Sequence, residues 1–210
     1  MKITQLLFGL VFWASAFVWP AALAAEPLYF VSLAKIKPGA QQRYEGFLVD
    51  VAPIWKRNNM DVLLRLAVDP KKRARITELD IDEIAVLKVL SRADFRNYIN
   101  DPGYRKISPD RLSSVDFFAV LEGDTAVLHN LDKLKASENV QVTLASETRN
   151  LRQDGIAIKI NLVGQVKGRI SEFLQAVRSV RLEPAPTHSR VPASSDPIDG
   201  LTLKATHLPK

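Results

Sequence analysis

Apolar and polar positions along this chain follow two periods, one of two residues and one near three and a half, and the switches between them mark its elements. "LYFVSLAKI" at 28–36 has strand composition, and Lys37-Pro38-Gly39 breaks it. From about Ala40 to Asn58, Tyr44, Phe47, Leu48, Val51, Ile54 and Trp55 recur at spacings of three and four, which predicts a helix with one apolar stripe. Pro53 lies inside it and is expected to kink the helix or end its regular part, because proline lacks the amide hydrogen and clashes with the preceding turn. "DVLLRLAVD" at 61–69 predicts a second strand and "EIAVLKVL" at 83–90 a third, apolar enough to be buried on both faces. Ser91 is a natural N-cap, with Asp94 completing a capping-box variant. The helix it opens has Phe95, Tyr98 and Ile99 as its inward stripe, and Pro102-Gly103 is expected to force the chain out into a turn. "VDFFAVLEG" at 115–123 is the fourth strand. The order β-α-β-β-α-β places the chain in the α+β class, with a ferredoxin-like domain in which two helices pack on one face of a four-stranded antiparallel sheet.

Past Gly123 the order is expected to recur, giving a second ferredoxin-like half over 124–210. "TAVLHN", "NVQVTLASE", "GIAIKINLVG" and "GLTLKATHL" read as its strands, with "LDKLKASE" and "GRISEFLQAVRSV" as its helices. Ile156, Ile158, Ile160 and Leu162 alternate onto one face, and Asp154-Gly155 is a turn signal before them. Ile170, Phe173, Leu174 and Val177 fall at helical core spacing. The stretch 183–200 carries four prolines and reads as a long loop.

The first residues change the picture of where such a chain works. Lys2, an apolar run from Leu6 to Val18, Pro20 and the triplet Ala22-Leu23-Ala24 have the layout of a secretory signal peptide over 1–24, with cleavage before Ala25 and a periplasmic or secreted product. The apolar run is shorter than the ~20 residues of a spanning helix. The chain has no cysteine, so neither a lipid-attachment thiol nor a disulfide is available, and stability must come from packing. With 47% hydrophobic and 25% charged residues in 210, composition is that of a globular chain. The net charge of +6 is dispersed except at Lys71, Lys72, Arg73 and Arg75, a solvated hairpin tip or a contact for an anionic surface; nucleic acid is not expected as a partner.

Two resemblances add to this. Over about 29–123 the chain resembles small domains of unknown function in the dimeric α/β-barrel superfamily. The residues that carry the likeness are the strand "IAVLKVL", Ser91 opening the helix, the "DPGY" turn, Arg111 seven residues after Tyr104, and the closing strand ending "LEG". The resemblance implies two sheets paired into a barrel and a pocket between sheet and helices, which in some members is a monooxygenase or haem-degrading site. The two glycines often found there after the first helix are replaced here by Asn58-Asn59-Met60. Over 155–208 the chain is similar to periplasmic ferredoxin-like modules of type IV pilus and type II secretion platform proteins, a likeness that implies a protein partner or self-association.

Candidate chemistry is sparse. His129, His188 and His207 are far apart and lack ligand spacing, so no metal is expected, and no cofactor motif or catalytic nucleophile signature is present. Asp80, Asp82 and Glu83 form a carboxylate cluster at a strand entrance, where a solvated turn is the ordinary outcome. What remains is Tyr44 and Trp55 on the first helix with Tyr98, Tyr104 and Arg111 around the second. If Tyr104 to Arg111 is helical, seven residues make two turns and both side chains project from one face, beside rings, as in a site for a small apolar or anionic ligand. Alternatively the aromatics are core or dimer contacts and Arg111 pairs with Asp101 or Asp110. Two classes of function follow, an exported non-catalytic binding or assembly module and a small-molecule enzyme of the barrel-monooxygenase type, with the first preferred.

Overall fold

A computed structural model describes residues 26–68, 81–123, 125–128, 131–145, 156–160, 162–163, 174–185 and 201–207. The expected signal peptide, the 71–75 basic run, Asp80, His129, the expected Asp154-Gly155 turn, Ile170, Phe173 and His188 lie outside them. The first half is β1 (Leu28–Ile36), α1 (Gln41–Arg57), β2 (Met60–Val68), β3 (Glu83–Val89), α2 (Arg92–Asn100), α3 (Pro102–Ser114) and β4 (Val115–Gly123). Its strands lie in the order β2-β3-β1-β4, all antiparallel, which is the ferredoxin-like sheet.

Three local expectations are corrected. Pro53 does not end α1, which runs on to Arg57. Pro102-Gly103 does not lead into a turn: the chain leaves α2 at Asp101 and at once starts α3, with Pro102 in the first turn, where a missing amide hydrogen costs nothing. Ile99 is not a core residue: it is 41% exposed and lines the space between the helices and the sheet. Asn59 has φ 53, so an asparagine occupies the left-handed exit after α1, a conformation that otherwise favours glycine.

The second half contributes β5 (Thr125–Leu128), α4 (Leu131–Ala136), β6 (Val140–Ala145), β7 (Ile156–Lys159), β8 (Leu162–Val163), β9 (Ser179–Pro184) and β10 (Leu201–His207). Two of these segments are continuations. Leu121 pairs with Val163 across β4 and β8, and Thr125 pairs with Lys159 across β5 and β7, so four residues along one strand match four along the other in a single register. β4 with β5 is therefore one strand, and β8 with β7 is its neighbour. The order β5-β7-β9-β6-β10-β2-β3-β1-β4-β8 then closes on itself, and the described residues form a ring of eight antiparallel strands.

Within that ring, β10-β6-β9-β7/β8 repeats the strand order of the first sheet, so the second ferredoxin-like sheet begins at β6. "TAVLHN" does not open it but prolongs β4, and "SVRLEP", expected as the end of a helix and the start of a loop, is its third strand β9. Only 174–176 of the expected helix are helical among the described residues.

Alternation explains the layers. Val31 and Leu33 on β1, Ile84 and Val86 on β3, and Leu121 on β4 turn inward and pack against Val142, Leu144, Ile156, Ile158, Val180 and Leu182 of the second sheet. All are essentially solvent-free, and each such side chain stabilises by about 1.5–3 kcal/mol. Their neighbours Leu28, Phe30, Leu87 and Val89 point outward under α1 and α2, meeting Phe47, Val51, Ile54 and Tyr98 in a separate cluster. The first sheet thus has two apolar faces, one in the barrel and one under the helices.

Candidate functional site

Above the outer face of the first sheet, between it and the three helices, lies a cavity of about 1350 Å³. Phe30, Ala85, Leu87 and Val120 form its floor, and α1 presents Glu45, Leu48, Ala52 and Trp55 to it. These fall on a stripe beside the buried one of Tyr44, Phe47, Val51 and Ile54. Phe95 stacks on Phe30 with ring centroids 4.5 Å apart, and Tyr98 meets Tyr104 at 4.3 Å.

Asp101 fixes how α2 and α3 stand against α1. Its carboxylate accepts from the Gly103 and Tyr104 amides at 2.8 and 3.3 Å, capping α3. The same carboxylate takes Arg57 Nε at 2.8 Å and its terminal nitrogen at 2.6 Å, tying it to the end of α1. Arg57 holds the Asp101 carboxyl well below the usual range, at about 2. A Cβ on Gly103 would stand 2.9 Å from the Arg57 terminal nitrogen and 3.0 Å from the Asp101 carboxylate, so any side chain there would push this pair aside.

All five residues singled out from sequence, Tyr44, Trp55, Tyr98, Tyr104 and Arg111, line this one cavity. The pairing alternative for Arg111 does not hold among the described residues, because Asp101 is engaged by Arg57 and no ion pair joins Arg111 to Asp110. The guanidinium instead stands 4.4 Å from the centre of the Phe118 ring and 5.7 Å from those of Phe47 and Tyr104. Its Nε is buried without a hydrogen-bond partner. Tyr98 is core and cavity wall at once, 6% exposed, with burial pushing its hydroxyl pKa up.

Sequence reasoning missed a second polar group in the same cavity. Glu83 was expected in a solvated turn and is 3% exposed. Arg65 binds it with two nitrogens at 3.0 and 2.7 Å and reaches Glu45 at 2.7 Å, while the Tyr44 hydroxyl donates to it at 3.2 Å. Burial pushes the Glu83 carboxyl up from its ordinary range, against the pull of Arg65, and burial likewise raises the Tyr44 hydroxyl. The available signal was an arginine in the middle of the apolar run "VLLRLAV", a position that needs an acidic partner if it is covered. Asp82 turns the other way, accepting from Lys35 at 3.1 Å and the Ile36 amide at 2.9 Å. Among the described residues no three His, Cys, Asp or Glu side chains converge.

Ring and cavity together define a class, an α+β barrel of two ferredoxin-like sheets in one chain, with an aromatic, cation-bearing pocket under the helices of the first. No family model matches the chain, and no curated protein matches it significantly. Among solved structures it is similar to a protein of unknown function from Rhodopseudomonas palustris, at 18% identity over 48% of this chain and 82% of that one, with a TM-score of 0.42. It is similar to a dabb family protein with a ferredoxin-like fold from Mesorhizobium loti, at 16% identity over 46% of this chain and 93% of that one, TM-score 0.35. An anthrone oxidase-like protein is similar at 6% identity over 88% of this chain and 92% of that one, TM-score 0.47. None of the three supports the likeness of 155–208 to pilus or secretion-platform modules, and the fold assignment rests on the strand order itself.

Proposed function

We propose that the protein binds a small, largely apolar molecule with an anionic group in the cavity between the first sheet and α1–α3, and that Arg111 takes the anion. The carrying observation is Arg111 itself, a cation with a buried, unpartnered Nε among three aromatic rings. Arg111 is half-buried with its Nε unsatisfied and no carboxylate paired with it among the described residues, and an incoming carboxylate, sulfonate or phenolate supplies the missing acceptor. The rings supply the apolar contact that orients the rest of the ligand. Assembly through sheet edges is less well supported, since every strand of the ring already has two neighbours.

The test uses a matched pair of fluorescent probes, 8-anilinonaphthalene-1-sulfonate and its sulfonate-free parent N-phenyl-1-naphthylamine. Arg111→Ala should weaken the sulfonate by about tenfold or more and leave the parent nearly unchanged. Folding should lose about 1 kcal/mol or less in denaturant, because no carboxylate is left unpaired. Equal loss of both probes, or loss of neither, rejects the reading.

The reading includes export. Intact-mass measurement of the protein recovered from the periplasm should show a chain beginning at Ala25 or one residue later; a mass retaining Met1 to Val18 overturns it.

A further inference from the structure

Strand register sorts the polar and apolar parts of the cavity to opposite ends. Residues directly opposite each other on neighbouring strands point to one face, and successive rows of them lie about 6.7 Å apart along the strands. On the helix side of the first sheet one row is Glu83, Ala34 and Phe118, and two rows further along stand Val62, Leu87, Phe30 and Glu122. Charge gathers at the first row. Arg111 stands over Phe118, Tyr44 and Arg65 hold Glu83, and Arg65 reaches Glu45. The far end is apolar apart from Glu122, which Arg92 engages, and Met60 continues it one row beyond Val62. The cavity is also larger than a one-ring acid fills, at about 1350 Å³ against the roughly 300–1000 Å³ of common ligand pockets. A ligand confined to Arg111 and its rings would leave the far rows without the contacts that a chain lying along them makes.

We infer that the ligand is a single-headed amphiphile, an alkyl carboxylate whose head lies at Arg111 and whose tail runs over Ser32 and Ala85 towards Val62 and Met60. The inference rests on the binding reading above and names its ligand class. From the row of Phe118 to that of Val62 is two steps and to that of Met60 three, about 13 and 20 Å, which suits an extended chain of about ten to sixteen carbons. Ser32 and Ala85, the small residues between the two ends, leave the tail room over the middle of the floor. Val49 on α1 and Ile99 on α2 are exposed and also line the cavity, so its wall is apolar where it meets solvent, as the entry of a tail requires.

Titration calorimetry with octanoate, decanoate, dodecanoate and tetradecanoate, each below its micelle concentration, tests the length. Affinity should rise about tenfold for every two carbons added. Arg111→Ala should weaken all of these acids by a similar factor, about tenfold, and leave 1-decanol unchanged. Lys135→Ala, at the exposed lysine on the same wall, should change none of them. Val62→Trp fills the far rows and should spare octanoate while costing tetradecanoate about tenfold or more. Val62→Phe, a smaller step, carries the same comparison where the tryptophan variant does not fold. Affinity that stays flat with chain length, or an equal loss of short and long acids in the Val62 variant, overturns this inference, and the binding reading still stands if Arg111→Ala loses the sulfonate probe. Carboxylate and sulfonate affinities both unchanged in Arg111→Ala overturn the two together.

Discussion

Two carboxyls in this molecule respond to pH in opposite senses, and the reason is local. The folded state holds Asp101 down to about 2 from 3.8, chiefly through Arg57. A depressed carboxyl stabilises the fold above its unfolded pKa, and that contribution is lost as pH falls from 3.8 towards 2. Burial raises Glu83, so the fold favours its protonated form; that contribution is complete at low pH and fades as pH rises through the folded value. Asp101→Asn still caps α3 but loses the charge. Its melting temperature should therefore fall less between pH 4 and pH 2 than that of the parent protein, followed by thermal scans across that window. An unchanged pH slope removes Asp101 as the link between α1 and α3. At this scale the sequence was legible where a residue stood out by type. Arg111 and the tyrosines were found that way, while Arg65 and Glu83 were not, because their pairing joins β2 to β3 and no spacing within either strand announces it.

Between elements, glycine marks where two segments come closer than side chains permit. A Cβ on Gly123 would lie 2.3 Å from the Lys159 carbonyl oxygen and 2.6 Å from Ile158, at the point where β4 runs on into β5 against β7. Gly46 in α1 has nothing within 4 Å of the same added atom. Gly123→Ala should cost about 1–3 kcal/mol in denaturant unfolding, and Gly46→Ala should stabilise by about 0.5–1 kcal/mol. Similar effects from the two would mean that the seam at Gly123 yields easily. Element types in the first half were readable because each strand and helix kept its own period. In the second half the readings slipped by one strand. Gly123 looked like an end and is a close approach, and "SVRLEP", with its arginine, glutamate and proline, lacked the run of apolar residues that marks a strand. It is a strand because β6 and β7 flank it on both sides, a condition that local pattern does not contain.

Over the whole molecule, pairing of the two sheets inside one chain satisfies a surface that a single ferredoxin-like unit would have to cover with a second copy. The inward side chains of β1, β3 and β4 already meet those of β6, β7 and β9. Light scattering of residues 25–210 should accordingly give the mass of one chain, and a fragment of residues 26–123 should dimerise or aggregate through the exposed face of Val31, Leu33, Val86 and Leu121. A tight dimer of the full protein would mean that the first sheet seeks a partner outside its own chain.

The seam between β10 and β2 has a consequence in time. Ala205 pairs with Val68, so the ring cannot close until residues 201–207 have been made and have found a strand made much earlier. Until then β6, β7 and β9 can form and join the first sheet through β8, but β2 and β6 are left as open strand edges. Loop closure over such a separation is slow relative to hairpin formation, and nascent chains must wait in that half-built state. The order of synthesis thus makes the last strand the one that closes the ring, and a chain stopped short of it would present the unpaired edges of β2 and β6 to chaperones and proteases.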